Sequence, residues 1–113
     1  MPDFEPIATA APIPEGAGIA VQIGGRSIAI FRVDGLLFAL DNVCPHAGAA
    51  LARGRIGDGM VQCPLHGSRF DLRTGECRNP SLGIQPVVVH TVREVDGLLE
   101  VALTDSPVRR PLK

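Results

Sequence analysis

Two short motifs near the middle of the chain combine cysteine with histidine: Cys44-Pro45-His46 and Cys63-Pro64-Leu65-His66-Gly67. Residues 47–62 separate them, so the pattern is C-x-H-x16-C-x2-H. Thiolate sulfur and imidazole nitrogen are donors that zinc and iron–sulfur clusters take from proteins. Because each motif supplies one Cys and one His, a two-iron cluster could take both thiolates on one iron and both imidazoles on the other. The spacing therefore predicts a four-ligand metal centre.

Zinc is the main alternative, because two Cys and two His also make a tetrahedral zinc set. Zinc fingers usually pair Cys with Cys and His with His, whereas each motif here is mixed. A nucleophilic Cys–His pair is a weaker alternative, because it would not explain why the motif occurs twice. From the motifs alone, a zinc-binding interaction module remains open beside an iron–sulfur protein.

The composition indicates one turn-rich domain spanning residues 1–113. The chain is 45% hydrophobic and contains 13 Gly and 10 Pro, which favours short strands over long helices. It has four Phe but no Tyr or Trp, and its net charge is −1. A base-stacking platform and a general attraction to polyanions are therefore not expected, and neither is nucleic acid as a partner.

The strand signals lie on both sides of the metal motifs. Apolar runs joined by Gly24-Gly25, Asp34-Gly35 and Asp96-Gly97 are typical of β-hairpins. The expected strands cover 18–23, 27–33, 36–40, 87–95 and 98–103. We expect an all-β fold, a small antiparallel sandwich or barrel, with an inserted cluster-binding loop subdomain over about 42–80, a possible helical turn near 47–53, and a frayed tail at 104–113.

The residues around the second motif resemble one family closely. Leu51-Ala52-Arg53-Gly54 and the run from Cys63 to Glu76, CPLHGSRFDLRTGE, match the L-x-x-G and C-P-x-H-G-x-x-F-D-x-x-T-G pattern of the Rieske family. This resemblance, covering about residues 18–103, implies a Rieske-type fold and one Rieske [2Fe-2S] cluster per chain. It implies that Cys44 and Cys63 bind one iron and that His46 and His66 bind the outer iron. Gly67, Ser68 and Pro80 are expected beside the cluster.

Two further comparisons with the family narrow the function. Respiratory and photosynthetic members have a disulfide between the two cluster loops. Its cysteines would fall at Ala49 and Leu65, so we do not expect the disulfide here. Those members also have a membrane anchor, which we do not expect here either. The resemblance thus implies a soluble ferredoxin, an electron carrier rather than an enzyme. Its implied partners are a flavin-dependent ferredoxin reductase and the terminal oxygenase of an aromatic-ring dioxygenase. A small Rieske subunit of a nitrite reductase or another oxidoreductase complex is the alternative.

The remaining predictions concern location and surroundings. The odd number of cysteines and an N-terminus without a basic region or twin-Arg motif favour a cytoplasmic protein with no membrane partner, which we expect to be a monomer. Cys77 is interpreted as a thiol outside the ligand set, and His90, without a partner motif, as an ordinary strand residue.

The match to the family pattern also implies which residues lie beside the cluster. Ser68 matches a Ser whose hydroxyl donates to a cluster sulfur in high-potential members, and Phe70 replaces a Tyr with the same role. A reduction potential of roughly −150 to 0 mV is therefore expected. Arg53 and Arg55 are predicted to rim the cluster tip and to meet acidic groups on a partner, and Leu51 and Pro80 to form an apolar docking rim.

Overall fold

The described residues of the computed structural model, 4–6, 13–44, 48–65, 67–78 and 86–104, form two antiparallel β-sheets. The large sheet has six strands in the order β1-β9-β8-β4-β3-β2, and the small sheet has the order β5-β6-β7. The strands are β1 (Phe4–Pro6), β2 (Gly18–Ile23), β3 (Arg26–Val33), β4 (Leu36–Asp41), β5 (Arg55–Gly57), β6 (Met60–Gln62), β7 (Arg69–Asp71), β8 (Val89–Val95) and β9 (Leu98–Ala102). The all-β prediction is confirmed, since the described residues contain no α-helix.

The three hairpins expected from the turn residues are confirmed. Gly24 and Gly25 join β2 to β3, and Asp34 and Gly35 join β3 to β4, all with positive φ. A turn with both central residues in that region matches the twist of the flanking strands, so Asp-Gly and Gly-Gly specify it. Strand β8 then pairs with β4 (Ala39 opposite His90), so the chain returns to the sheet after the insert.

Strand β1 was not predicted. It pairs with β9, with Phe4 opposite Ala102, and the Arg93 guanidinium lies 3.7 Å from the centroid of the Phe4 ring. Three residues, the last of which is a proline, show too little alternation to indicate a strand, so this element depends on the edge that β9 offers.

The insert is more regular than predicted. The expected loops contain the three short strands of the small sheet and a 3₁₀-helical turn, Leu51–Arg53, which confirms the turn expected near 47–53. Asp58 and Gly59, with φ of 54° and 74°, make the hairpin between β5 and β6. The Asp-Gly signal is the same as in the large sheet, but strands of three residues are too short to show a period of two.

The two faces of the large sheet contribute to two separate hydrophobic clusters. Ile28 and Ile30 face one cluster, whereas Ala29 and Phe31 face the other, as the pleat of a strand requires. The second cluster also contains side chains of the insert: Cys44, Leu51, Val61, Cys63, Phe70 and Leu72. The insert therefore packs on the large sheet through a shared core.

The position of Leu51 in this core contradicts the prediction that it forms part of a docking rim. Leu51 is fully buried, so it cannot form the apolar docking rim expected of it. The 3₁₀ turn directs its side chain toward Phe31 and Val61 in the core cluster while Arg53, two residues on, is exposed.

Two other observations concern the rest of the chain. No helix in the described part of the chain has the length and apolar character needed to cross a membrane. The frayed tail was predicted at 104–113; only Thr104 of it is among the described residues, and 105–113 lie outside them.

Candidate metal centre

The two motifs form loops with the same backbone hydrogen bonds. In the first loop, the Cys44 N–H donates to the Ala49 carbonyl (2.8 Å) and the Gly48 N–H donates to the Cys44 carbonyl (2.8 Å). In the second, the Cys63 N–H donates to the Ser68 carbonyl (2.7 Å) and the Gly67 N–H donates to the Cys63 carbonyl (3.1 Å). The duplication seen in the sequence is therefore a duplication of local structure.

A glycine completes each loop at the same position. Gly48 and Gly67, four residues after their cysteines, have φ of 74° and 75°. A side chain at this φ would be strained, so the loop closure depends on glycine. Gly67, which is expected beside the cluster, therefore also closes the second loop.

Both cysteines are buried and both contribute to the core cluster that joins the two sheets. Cys44 and Cys63 are each 1% exposed. The two predicted imidazole ligands, His46 and His66, lie outside the described residues, as does Pro80. The four-ligand set therefore remains a prediction, and the structure describes only its two thiols.

Ser68 carries a buried hydroxyl that lacks a hydrogen-bond partner among the described residues. Its side chain is 0% exposed. Among the described residues, its Oγ is the one buried side-chain nitrogen or oxygen that has no hydrogen-bond partner. An unsatisfied buried hydroxyl destabilises a fold by about 1–3 kcal/mol, so a partner is expected. A sulfur of a group held by Cys63 would accept its hydrogen bond, which agrees with the role predicted for Ser68.

Gly54 and Gly75 hold the backbones around the second loop close together. A Cβ on Gly54 would lie 2.1 Å from the carbonyl oxygen of Gln62, next to Cys63. A Cβ on Gly75 would lie 2.1 Å from the carbonyl oxygen of Val87, where the chain returns toward β8. The glycines of the L-x-x-G and T-G motifs are thus needed for close approach.

The Asp71 carboxylate organises the turn after β7. Its Oδ1 accepts hydrogen bonds from the N–H groups of Arg73 (2.8 Å) and Thr74 (3.3 Å). The Gly75 N–H donates to the Asp71 carbonyl (2.7 Å), and the Asp71 N–H donates to the Glu76 carbonyl (2.9 Å). This part of the F-D-x-x-T-G motif is structural: it fixes the turn that follows Ser68 and Phe70.

Asn42 was missed by the sequence analysis and anchors the first loop. It is 7% exposed; its Oδ1 accepts a hydrogen bond from the Ala52 N–H (2.7 Å), and its Nδ2 donates to the Ser27 Oγ (3.1 Å). It thereby ties the residues before Cys44 to the 3₁₀ turn and to β3. The signal was its position, a polar residue between a buried strand and the first cysteine.

A cavity of about 350 Å³ opens beside the second cysteine. It is lined by Arg53, Gly54, Arg55, Gln62, Cys63, Pro64 and Gly67. Both predicted docking arginines therefore border the cavity that reaches Cys63, and both are exposed. Leu65 is also exposed, whereas Phe70 and Ser68 are buried.

His90 belongs to a separate polar network on the large sheet. Its Nδ1 accepts a hydrogen bond from the Thr104 N–H (2.9 Å), so Nε2 carries the proton and donates to the Asp41 Oδ1 (2.7 Å). Arg26 donates to the same carboxylate oxygen (3.0 Å) and to the Thr104 carbonyl (3.1 Å). Burial, the larger effect, lowers the pKa of His90 although the Asp41 hydrogen bond acts against it. The network joins strands β3, β4 and β8 to the residue that follows Leu103 after β9.

The described residues fit an iron–sulfur cluster. They provide two buried thiols on equivalent loops, a buried hydroxyl without a partner among the described residues, and a close-packed glycine, Gly54, beside the second loop. Among the described residues, which exclude both predicted imidazole ligands, no three of the His, Cys, Asp and Glu types lie close enough together to hold a metal ion.

Known proteins provide an independent test. The family model described as "Rieske [2Fe-2S] domain" matches residues 3–92. The anthranilate 1,2-dioxygenase ferredoxin subunit of Burkholderia cepacia is 36% identical over 101 residues, which cover 89% of this chain and 93% of that protein.

Solved structures agree with this match. A chain from the complex of reduced oxygenase and oxidised ferredoxin in carbazole 1,9a-dioxygenase aligns with a TM-score of 0.77 and 27% identity, covering 88% of this chain and 92% of that one. A candidate NADH-dependent nitrite reductase small subunit from Mycobacterium tuberculosis aligns with a TM-score of 0.80 and 30% identity, covering 94% of this chain and 99% of that one.

Proposed function

Because the chain belongs to the Rieske [2Fe-2S] domain family, we propose that it carries single electrons from a flavin-dependent ferredoxin reductase to the terminal oxygenase of an aromatic-ring dioxygenase system. The observation that carries this proposal is that the chain spans 93% of a dioxygenase ferredoxin subunit and retains both cysteine loops. The relative is a ferredoxin, an electron carrier rather than a catalytic component, and this chain is an electron carrier likewise.

Four residues would hold the cluster. Cys44 and Cys63 would bind one iron, and we propose His46 and His66 for the other. When bound, a Rieske cluster supplies reversible one-electron chemistry. A set of two thiolates and two neutral imidazoles carries roughly two fewer negative charges than a set of four thiolates. This ligand set therefore favours a higher reduction potential.

The chain's own residues set the conditions for that chemistry. The shared core excludes water from Cys44 and Cys63, which are each 1% exposed. Ser68 provides a buried hydroxyl donor, and donors toward cluster sulfurs raise the potential because they stabilise added negative charge. Phe70, fully buried, provides no second hydroxyl. We therefore propose a potential in the lower part of the family's range.

The small subunit of a nitrite reductase is the second candidate function. The TM-score of 0.80 to the candidate nitrite reductase subunit is the observation that favours it. The two functions differ in the acceptor: the first predicts electron transfer to a non-haem iron oxygenase, and the second predicts stable association with a sirohaem reductase.

Absorbance and EPR spectra of the purified protein test the cofactor. We expect a red-brown protein that becomes paramagnetic on reduction, with two irons and two sulfides per chain. Cys63→Ala should lose the cluster, whereas Cys77→Ala, a matched change at a cysteine outside the ligand set, should retain it. A colourless protein that contains zinc would contradict the proposal.

Electron transfer tests the function itself. The chemically reduced protein should be reoxidised by a terminal oxygenase and re-reduced by a flavin-dependent reductase with NADH. Copurification with a sirohaem reductase and no transfer to the oxygenase would instead support the second candidate. We also propose that the protein acts as a monomer in the cytoplasm, which size-exclusion chromatography and cell fractionation would test.

A further inference from the structure

Three exposed arginines, Arg53 beside the small sheet and Arg55 and Arg69 within it, lie on the side of the insert that holds the Cys63 cavity. Arg53 ends the 3₁₀ turn and Arg55 begins β5, and both line the cavity that reaches Cys63. Between them lies Gly54, whose backbone packs so tightly against Gln62 that a Cβ would overlap the carbonyl oxygen of that residue. The two guanidinium groups are therefore carried on a backbone that is fixed relative to the cysteine loop.

The strand register extends this face across the sheet. Arg55 lies opposite Gln62, and Gln62 lies opposite Arg69. Directly opposite residues of an antiparallel sheet share a face, so the three side chains form a row about 10 Å long. A groove of about 260 Å³ is lined by all three, which places them on the same exposed surface. We call Arg53, Arg55, Gln62 and Arg69 the arginine face.

The ion pairing of this face differs from that of the large sheet. Each of the three arginines in the large sheet contacts a carboxylate: Arg26 with Asp41, Arg32 with Glu94 and Arg93 with Glu100. Arg69 contacts Asp58 at 3.7 Å. Arg53 and Arg55 form no ion pair with any residue that the structure describes.

The charge of the face indicates what it binds. Arg53 and Arg55 carry like charges two residues apart and form no ion pair with a described residue, so this pair gains stability when an external anion binds. Guanidinium groups bind carboxylates in a directional, two-pronged manner. The net charge of −1 and the absence of Tyr and Trp argue against a nucleic acid, so carboxylates on a protein surface are the favoured occupant.

We propose that the arginine face is the docking surface for the terminal oxygenase, with Arg53 and Arg55 binding oxygenase carboxylates at the cavity beside Cys63. This inference rests on the proposed function and specifies which residues recognise the partner. Docking there would bring the oxygenase against the wall of the cysteine loop, and the remaining arginine contact at Arg69 would fix its orientation.

Titration calorimetry with the cluster-loaded protein and the purified terminal oxygenase tests the proposal. We expect Arg53→Glu and Arg55→Glu each to weaken binding by at least about tenfold at low salt and to make the affinity less dependent on ionic strength. Arg55→Lys, which keeps the charge but loses the two-pronged geometry, should weaken binding less than Arg55→Glu does. Absorbance and EPR spectra should match those of the unaltered protein in every variant, showing that the cluster site is intact.

Arg73→Glu is the matched control. Arg73 is an exposed arginine of the same subdomain, but it lines a different groove together with Asp34 and Asp71. We expect this variant to bind within about twofold of the unaltered protein. Equal weakening by Arg73→Glu would overturn the proposal, because the effect would then come from overall charge.

The outcomes separate this inference from the proposed function. If the unaltered protein neither binds nor reduces the oxygenase, both are overturned. If the unaltered protein does both and the Arg53→Glu and Arg55→Glu variants bind equally well, the docking surface alone is overturned. Weakened binding of the reductase with unchanged binding of the oxygenase would also overturn it.

Discussion

Ala49 and Ser68 occupy equivalent positions in two loops of the same construction. Each accepts a hydrogen bond from the N–H of the cysteine five residues earlier, at 2.8 Å from Cys44 and at 2.7 Å from Cys63. One position carries a methyl group and the other a hydroxyl. The two sides of the site therefore differ in hydrogen-bonding capacity although their backbones match.

This difference predicts the effect of exchanging the two side chains. Ser68→Ala should lower the reduction potential by about 60 mV, which corresponds to a hydrogen bond about 1.4 kcal/mol stronger to the reduced than to the oxidised cluster in a one-electron couple. Ala49→Ser adds a hydroxyl at the equivalent position and should raise the potential. A redox titration followed by absorbance and EPR would measure both shifts. A Ser68→Ala potential that is unchanged within the error of the titration would contradict the donor role of Ser68.

The close approach at Gly54 predicts a steric penalty. Gly54→Ala would place a Cβ 2.1 Å from the Gln62 carbonyl oxygen and 3.0 Å from Val61, so β5 and β6 must separate. We expect a loss of about 1–3 kcal/mol in the free energy of unfolding, measured by urea titration. Gly57→Ala, three residues later at the end of β5 and with no atom within 4 Å of the added Cβ, is the control and should change stability by less than about 0.5 kcal/mol. Equal effects at both positions would show that backbone propensity, and not the contact, is responsible.

The hairpins show what the sequence allowed to be predicted. Asp34-Gly35 and Asp96-Gly97 have positive φ at both residues, as their types require, and they separate strands long enough to show alternation. Asp58-Gly59 has the same conformation but joins strands of three residues, and its hairpin was missed. A turn depends on the types of two neighbouring residues and can be predicted from the sequence. A very short strand forms only because neighbouring strands pair with it, so the sequence does not predict it.

The candidate site shows the same division. The cysteine pair, Ser68 and Gly67 were predicted as site residues from ligand chemistry and motif spacing, which depend on the sequence alone. The burial of Leu51 and the anchoring role of Asn42 were not predicted. The first depends on how the 3₁₀ turn packs in the core, and the second depends on where the turn places the Ala52 N–H. An apolar residue between two loops reads equally well as a docking contact or as core, and only packing against Phe31 and Val61 decides between them.

The burial of Leu51 predicts that its loss affects stability. Leu51→Ala should reduce the free energy of unfolding by about 2–5 kcal/mol, because it removes a fully buried side chain from the core that joins the two sheets. Leu65→Ala, at a leucine that is 64% exposed, is the control and should change stability by less than about 0.5 kcal/mol. Chemical denaturation of both variants would measure the difference. A Leu51→Ala protein as stable as the control would contradict the core assignment.

The His90 network predicts a pH dependence of stability. Burial lowers the pKa of His90 in the folded state below its ordinary value of 6.5, so the unfolded chain binds a proton more readily. The stabilisation is complete above about pH 6.5 and is lost as the pH falls toward the folded-state pKa, with a slope of at most about 1.4 kcal/mol per pH unit. Protonation of Nδ1 would also remove the acceptor for the Thr104 N–H.

The variant His90→Asn isolates this effect from the titration of other groups. Asparagine keeps an acceptor for the Thr104 N–H but has no charge to gain, so its free energy of unfolding should depend less on pH below about pH 6.5. Urea titrations of both proteins from about pH 8 to about pH 5 would give the two slopes. His46 and His66 are present in both proteins, so their contributions cancel in the comparison. Parallel curves for the two proteins would show that His90 titrates alike in the folded and unfolded states and would contradict the lowered pKa.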